Sequence, residues 1–79
     1  MALRIKSDVD LKELEKYGFE LSYMYGSDSY NKFLIDGDIL SVFIDNRKLY
    51  LDAWETSEEY LLYVADDLIK ADLIEKVDD

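Results

Sequence analysis

The side chains of this sequence that could act as acids or bases are carboxylates, lysines and tyrosines, because the chain contains neither histidine nor cysteine. Imidazole and thiolate groups supply most proton shuttles, nucleophiles and transition-metal ligands in proteins. Paired carboxylates catalyse only at defined separations across a cleft, and no spacing here specifies such a cleft. We therefore expect no enzymatic activity, with no catalytic residue, no cofactor and no metal ligand.

Carboxylates dominate the C-terminal third of the chain. Residues 52–79 carry ten carboxylates and only two lysines, so this segment supplies most of the formal net charge of −10. Such an excess repels nucleic acid and anionic membranes, which bind proteins through Lys and Arg. We therefore expect neither direct nucleic-acid binding nor membrane association.

The length and composition predict one domain spanning residues 1–79. Apolar residues make up 49% of the 79 residues, and the aromatic side chains are one Trp, seven Tyr and three Phe, so a single dense core is expected. No segment approaches the ~20 apolar residues of a membrane span, and the first residues lack the apolar run of a signal peptide. These features predict a cytoplasmic protein.

The first helix is predicted from its two ends. Asp10 and Glu13 have the spacing of a capping box, in which each side chain bonds to the other residue's backbone N–H. Gly18 stands where a left-handed residue commonly ends a helix. We therefore expect a helix over residues 11–17.

A second helix is predicted from about Ser57 to Lys70, because Thr56 and Glu59 repeat the capping-box spacing. Its apolar residues fill one broad arc, and acidic residues fill most of the remainder. Carboxylates on a rigid helix can imitate the phosphates of a duplex, so one candidate function is inhibition of a DNA-binding protein. The candidate residues on this acidic face are Glu59, Tyr63, Asp66 and Asp67.

Between the two helices, the period of the apolar residues changes to two, which predicts an antiparallel sheet. We expect strands over residues 19–25, 30–35, 39–44 and 49–54, with turns at 26–29, 36–37 and 46–47. The terminal segments 3–6 and 73–77 are expected to be short edge strands that pair with each other. The predicted fold is α+β: a four-stranded antiparallel meander with two helices on one face.

The turns assign the strand residues to two faces, because directly opposed residues share a face. With Asp36-Gly37 and Asn46-Arg47 as two-residue loops, one face is aliphatic and seats both helices. It consists of Phe33, Leu40, Val42, Ile44, Leu49, Leu51 and Ala53. The opposite face mixes aromatic with polar residues: Tyr30, Lys32, Leu34, Ile39, Ser41, Phe43, Tyr50, Asp52 and Trp54.

Two interpretations of this mixed face remain open. In one, the sheet curls, and the terminal strands or the first helix cover the aromatic residues. In the other, the aromatic residues form a half-exposed patch that docks a partner protein or a second copy, since Tyr and Trp are favoured at such sites. The patch residues are Tyr30, Phe43, Tyr50 and Trp54. A one-residue change in either loop would exchange the faces.

Two stretches, LRIKSDVDLKELEKYGF (Leu3–Phe19) and DLIKADLIEKV (Asp67–Val77), resemble small uncharacterised proteins of phages and prophages of Gram-positive bacteria. The resemblance covers both ends of the chain, and it implies a bacterial cytosol and host-directed binding. The second stretch also resembles the end of a helix-turn-helix running into a wing. This helix lacks the basic residues that DNA binding requires. The sequence as a whole therefore predicts a small acidic interaction module, with homodimerisation as one form of that interaction.

Overall fold

Short strands and short helices follow each other along the chain in a computed structural model, which describes residues 2–24 and 26–77. The strands are β1 (Ala2–Ile5), β2 (Glu20–Met24), β3 (Ser27–Phe33), β4 (Ile39–Phe43), β5 (Leu49–Asp52) and β6 (Ile74–Val77). The α-helices are α1 (Glu58–Val64) and α2 (Asp66–Lys70), and two 3₁₀ segments span Leu11–Tyr17 and Ile35–Gly37. The predicted α+β class is confirmed. Tyr25, the last residue of the strand predicted over residues 19–25, lies outside the described residues.

The central sheet is an antiparallel meander in the order β2-β3-β4-β5, as predicted. The terminal strands β1 and β6 pair antiparallel in a separate two-stranded sheet, with Leu3 opposite Lys76. One bridge between Arg4 and Lys48 brings β1 alongside the start of β5. The side of β5 away from β4 is therefore partly occupied by β1.

The first helix has the predicted limits, but it is a 3₁₀ helix rather than an α-helix. Asp10 caps it by accepting a hydrogen bond from the Lys12 backbone N–H, with an N···O distance of 3.0 Å. The Glu13 carboxylate does not complete the capping box and instead pairs with Lys16 at 2.7 Å. Gly18 ends the helix with φ 91°, in the left-handed region that the sequence predicts.

The second helix begins one residue later than predicted and ends at Lys70 as predicted, but it is interrupted. Ser57, not Thr56, is the N-cap, and its hydroxyl accepts a hydrogen bond from the Tyr60 N–H at 3.2 Å. Ala65 leaves the helical conformation with φ −96° and ψ 9°, which separates α1 from α2. Because Ala65 and Leu68 are both fully buried, the break keeps the apolar sides of both helices against the core.

The core lies between one face of the meander, hereafter the inner face, and the helices. Its buried members are Ile5, Leu14, Phe19, Tyr30, Leu40, Val42, Leu51, Ala65 and Leu68. Leu14 comes from the 3₁₀ helix, and Ala65 and Leu68 come from the C-terminal helical segment. The prediction that both helices pack on one face of the sheet is therefore confirmed.

The register between β3 and β4 differs from the prediction by one residue. Phe33 lies opposite Ile39, not Leu40, because the loop has three residues (35–37) rather than two. The Leu34 N–H donates to the Asp38 carbonyl at 2.8 Å and closes this longer loop. One extra residue turns every β3 side chain to the other face of the sheet, relative to the prediction.

The register between β4 and β5 differs by two residues, so the predicted faces of these strands are correct. Val42 lies opposite Leu49, and a four-residue connection replaces the predicted two-residue turn. Arg47 adopts φ 63° in this connection, and its Nη1 donates to the Lys6 and Val9 carbonyls at 2.9 and 2.6 Å. The guanidinium thereby ties the loop to the segment that follows β1.

Candidate interaction face

The candidate site is the face of the meander opposite the core, hereafter the outer face. Its residues are Glu20, Ser22, Met24, Ser27, Ser29, Asn31, Phe33, Ile39, Ser41, Phe43, Tyr50 and Asp52. None of these side chains belongs to the core cluster. Within the described part of the chain, both helices therefore leave this face uncovered.

A buried polar cluster forms the centre of the outer face. Ser29, Asn31 and Ser41 are 0%, 1% and 0% exposed, although they lie on the face opposite the hydrophobic core. The Asn31 Oδ1 accepts hydrogen bonds from the hydroxyls of Ser41 at 2.6 Å and Ser29 at 3.2 Å. Its Nδ2 donates to the Ser22 hydroxyl at 2.8 Å and to the Ser29 carbonyl at 3.1 Å. Since an amide offers two donors and two acceptor positions, every hydrogen-bonding position of Asn31 is used.

Apolar side chains surround this polar centre. The rings of Phe43 and Tyr50 lie 5.9 Å apart at 38°, which is a favourable tilted contact. Phe33 lies opposite Ile39 in a neighbouring row and is 66% exposed. Tyr50 is 46% exposed, and Phe43 and Ile39 are half-buried. The outer face thus combines a hydrogen-bonded polar centre with a partly exposed apolar border.

The structure brings together only part of the predicted aromatic patch. The predicted position of Tyr30 is wrong, because the one-residue difference in the β3–β4 loop turns it to the inner face, where it is buried. Phe43 and Tyr50 lie together on the outer face, as predicted. Trp54 follows the end of β5 and is fully exposed beside a shallow cavity of about 320 Å³ that also contacts the 36–38 turn.

Phe33 lies on the outer face, although it was predicted to lie on the aliphatic face that seats the helices. It occupies the outer face for the same reason that Tyr30 does not: the two residues have opposite parity on β3. The length of the 35–37 loop sets the register of β3, so only a correct loop length could have placed Phe33 on the outer face. Asp36 and Gly37 both have positive φ, as in a two-residue turn, so their residue types did not reveal the third residue.

The predicted acidic face does not form one continuous row of charges. Glu59 and Tyr63 lie on α1, whereas Asp66 and Asp67 lie beyond the break, on α2. Asp66 pairs with Lys70 at 2.9 Å, and Asp67 pairs with Lys32 at 3.0 Å. Lys32 reaches Asp67 because the β3 register turns it to the inner face. Two of the three predicted carboxylates are therefore partly neutralised.

Tyr63 lies in a different environment from the outer face. It is 77% exposed, and its ring stacks on that of Tyr60 with centroids 6.4 Å apart. Both rings line a cavity of about 390 Å³ together with Leu34, Ile35, Val64, Asp66 and Asp67. The Tyr60 hydroxyl donates to Asp38 at 2.9 Å, and this bond, helped by burial, raises the pKa of Tyr60 above its ordinary value.

No group of three or more acidic, His or Cys side chains is placed to hold a metal ion among residues 2–24 and 26–77. Over the same residues, no helix has both the length and the apolar character needed to cross a membrane. Comparison of the chain with protein-family models, with curated proteins and with solved structures finds no match.

Proposed function

We propose that this protein is a non-catalytic, cytoplasmic interaction module that docks a partner protein through the outer face. The observation that carries the proposal is the exposure of Phe33 and Tyr50 on a face that no described helix covers. Partly exposed aromatic residues around a hydrogen-bonded centre are typical of protein interfaces. The absence of His and Cys from the sequence supports the non-catalytic part of the proposal.

The charge of the outer face defines the chemistry of the partner. Of the carboxylates in the described part of the chain, only Glu20 and Asp52 lie on it, at opposite edges of the sheet. The centre between them is apolar or neutral, in contrast with the net charge of −10 on the whole chain. The partner should therefore present an apolar, weakly charged surface rather than a basic one.

The rigidity of the polar centre supports the same function. All four hydrogen-bonding positions of Asn31 are already used, so docking does not require new partners for this amide. A binding surface whose side chains are already held in place loses less conformational entropy on association. Phe43 and Tyr50 are likewise held against each other before any partner arrives.

The proposal is tested by capture from a bacterial lysate with wild type and three variants of the protein as bait. Phe33→Ser and Tyr50→Ser remove exposed aromatic rings from the outer face, whereas Tyr63→Ser removes a more exposed ring from α1. We expect the first two variants to lose the partner that wild type captures and Tyr63→Ser to keep it. Removing an interface aromatic residue commonly reduces affinity by more than ~1 kcal/mol.

Circular dichroism of each variant shows whether the fold is retained. Phe33 and Tyr50 lie outside the core cluster, so all three variants should stay folded. Loss of the partner in Tyr63→Ser, with binding retained in both outer-face variants, would contradict the proposal.

The alternative is a nucleic-acid-mimicking inhibitor that uses the acidic helical segments. Its main support is the charge of residues 52–79. The pairing of Asp66 with Lys70 and of Asp67 with Lys32 reduces the charge available to a basic groove. This mechanism requires a complex that dissociates steeply as salt rises, because salt screens exposed charges over ~8 Å at physiological ionic strength.

A further inference from the structure

The outer edge of β2 is an open strand edge. β2 stands at the end of the four-stranded sheet, and in the described part of the chain it pairs only with β3. Glu20 to Tyr23 are exposed and Met24 is half-buried. Half of the backbone N–H and C=O groups of such a strand face away from its one neighbour and can pair with another strand.

β2 also lacks the features that protect sheet edges in other proteins. Edge strands commonly carry lysine, proline or several charged residues that discourage pairing with another chain. Glu20 is the only charged residue of β2, and the whole sequence has no proline. By contrast, the terminal strand β6 carries both Glu75 and Lys76 within four residues.

Two of the exposed side chains of β2 are apolar. Leu21 is 54% exposed and Tyr23 is 72% exposed, on the inner-face side of the sheet but outside the core cluster. On the outer-face side, Ser22 and Met24 continue the weakly charged surface. An open backbone edge and exposed apolar side chains therefore occur in the same five residues.

We propose that β2 pairs antiparallel with β2 of a second copy, about a two-fold axis through Ser22. In this register, Ser22 lies opposite its own copy, Leu21 lies opposite Tyr23, and Glu20 lies opposite Met24. Leu21 and Tyr23 thus meet as an apolar pair on the same side of the sheet. A two-fold axis at any other residue of β2 would pair fewer of its five residues.

The distribution of charge along β2 is compatible with a second copy as the occupant. A net charge of −10 on each copy opposes association in general. The Ser22-centred register nevertheless opposes no two carboxylates, because the single acidic residue of each strand meets a methionine. The pairing thus joins two acidic molecules along an almost uncharged line.

The pairing goes beyond the proposed function and does not rest on it. A two-fold axis perpendicular to the sheet places both outer faces side by side on one eight-stranded sheet. One outer face covers roughly 300 Å², from four strands ~4.8 Å apart and ~5 residues of ~3.4 Å each. This is well below the ~800 Å² per partner of a standard interface, and pairing would double it.

The register is tested by single cysteines, since the protein has none of its own. Ser22→Cys places a thiol on the two-fold axis, where opposed Cα atoms lie at disulfide distance. Met24→Cys lies on the same face and strand, but its two copies are separated by ~14 Å along the strands. Under mild oxidation, we expect a covalent dimer of Ser22→Cys and at least about tenfold less of Met24→Cys. Equal cross-linking of both variants, or none with Ser22→Cys, would overturn the proposal.

Sedimentation of charge variants tests the same register without a covalent bond. Leu21→Lys with Tyr23→Lys opposes like charges across the axis, while it lowers the net negative charge of the molecule. Leu21→Glu with Tyr23→Lys opposes unlike charges at the same two positions. We expect the first double variant to weaken dimerisation about tenfold and the second to retain it.

Two results would contradict this expectation: equal association of both double variants, or a wild-type protein that stays monomeric at millimolar concentration. Tyr50→Ser should dimerise like wild type, because Tyr50 lies on β5, away from β2. If wild type stays monomeric but still binds a partner through the outer face, the pairing of β2 is wrong. The proposed function then still stands.

Discussion

Asn31 explains how small polar residues can lie buried on a face that no described helix covers. Its neighbours on the sheet include Ser29 and Ser41, and all three side chains are buried. A buried polar group is costly unless it is hydrogen-bonded, and no buried side-chain polar atom among the described residues lacks a partner. The cluster is therefore a stable, hydrogen-bonded centre of the outer face.

We predict that Asn31→Ala lowers the free energy of unfolding by ~1–3 kcal/mol. The substitution removes the acceptor shared by the hydroxyls of Ser29 and Ser41, both of which are fully buried. Ser22→Ala is the matched control, because Ser22 is exposed and water can replace its hydroxyl. Its cost should stay below ~1 kcal/mol. Equal unfolding midpoints of both variants in urea would contradict this account.

We expect the free energy of unfolding to fall at alkaline pH because of Tyr60. Its hydrogen bond to Asp38, together with burial, raises its pKa in the folded protein above the ordinary ~10 of the unfolded chain. The resulting stabilisation is fully present below the unfolded pKa and is lost as pH rises through the folded pKa. Asp38→Asn should return the pKa of Tyr60 towards its ordinary value, as followed by tyrosinate absorbance. Tyr60→Phe identifies the Tyr60 signal, and an unchanged titration in Asp38→Asn would refute the assigned cause.

At the scale of elements, residue patterns predicted which segments form strands and helices better than they predicted loop lengths. Helix caps at Asp10 and Gly18 are local, so they can be read from a few neighbouring residues. The 35–37 loop differs from a two-residue turn by a single residue, although its Asp-Gly signal is the same. That difference moved Tyr30 into the core and Phe33 to the outer face, because side chains alternate with a period of two.

The break between α1 and α2 could not be predicted for a similar reason. Ala65 is a good helix former, and no Gly or Pro marks the position. The bend depends on how both segments pack on the sheet, which is a property of the tertiary structure. The N-cap also moved from Thr56 to Ser57, since adjacent hydroxyl residues offer equivalent local signals.

Gly18 ends the first helix in a backbone conformation that other residues adopt at a cost. Gly18→Ala should lower the free energy of unfolding by ~1 kcal/mol, because alanine is strained at φ 91°. An added Cβ would lie 3.5 Å from the Lys32 side chain, an ordinary contact, so the cost arises from the backbone. For a domain of this size, the melting temperature should fall by ~4–8 °C. Gly18→Asn should recover part of the loss, because asparagine tolerates this conformation; an equal loss in both variants would point to a steric cause.

At the scale of the whole molecule, charge and apolar surface are separated. The acidic excess lies in residues 52–79, which include both α-helices, whereas the outer face carries only Glu20 and Asp52. A net charge of this size favours solubility, and the outer face is weakly charged. Composition alone indicated an interaction module, but only the three-dimensional register shows which aromatic residues share a face.

Cross-saturation NMR of the complex with its captured partner shows directly whether the partner docks on the outer face. Saturation of the partner's protons should attenuate the ring signals of Phe33, Phe43 and Tyr50, since these rings lie on the proposed docking face. The ring of Tyr63, exposed on α1, serves as the internal reference and should keep its intensity. Attenuation confined to Tyr63 and its acidic neighbours, with the outer-face rings unchanged, would show that the partner binds the helices instead.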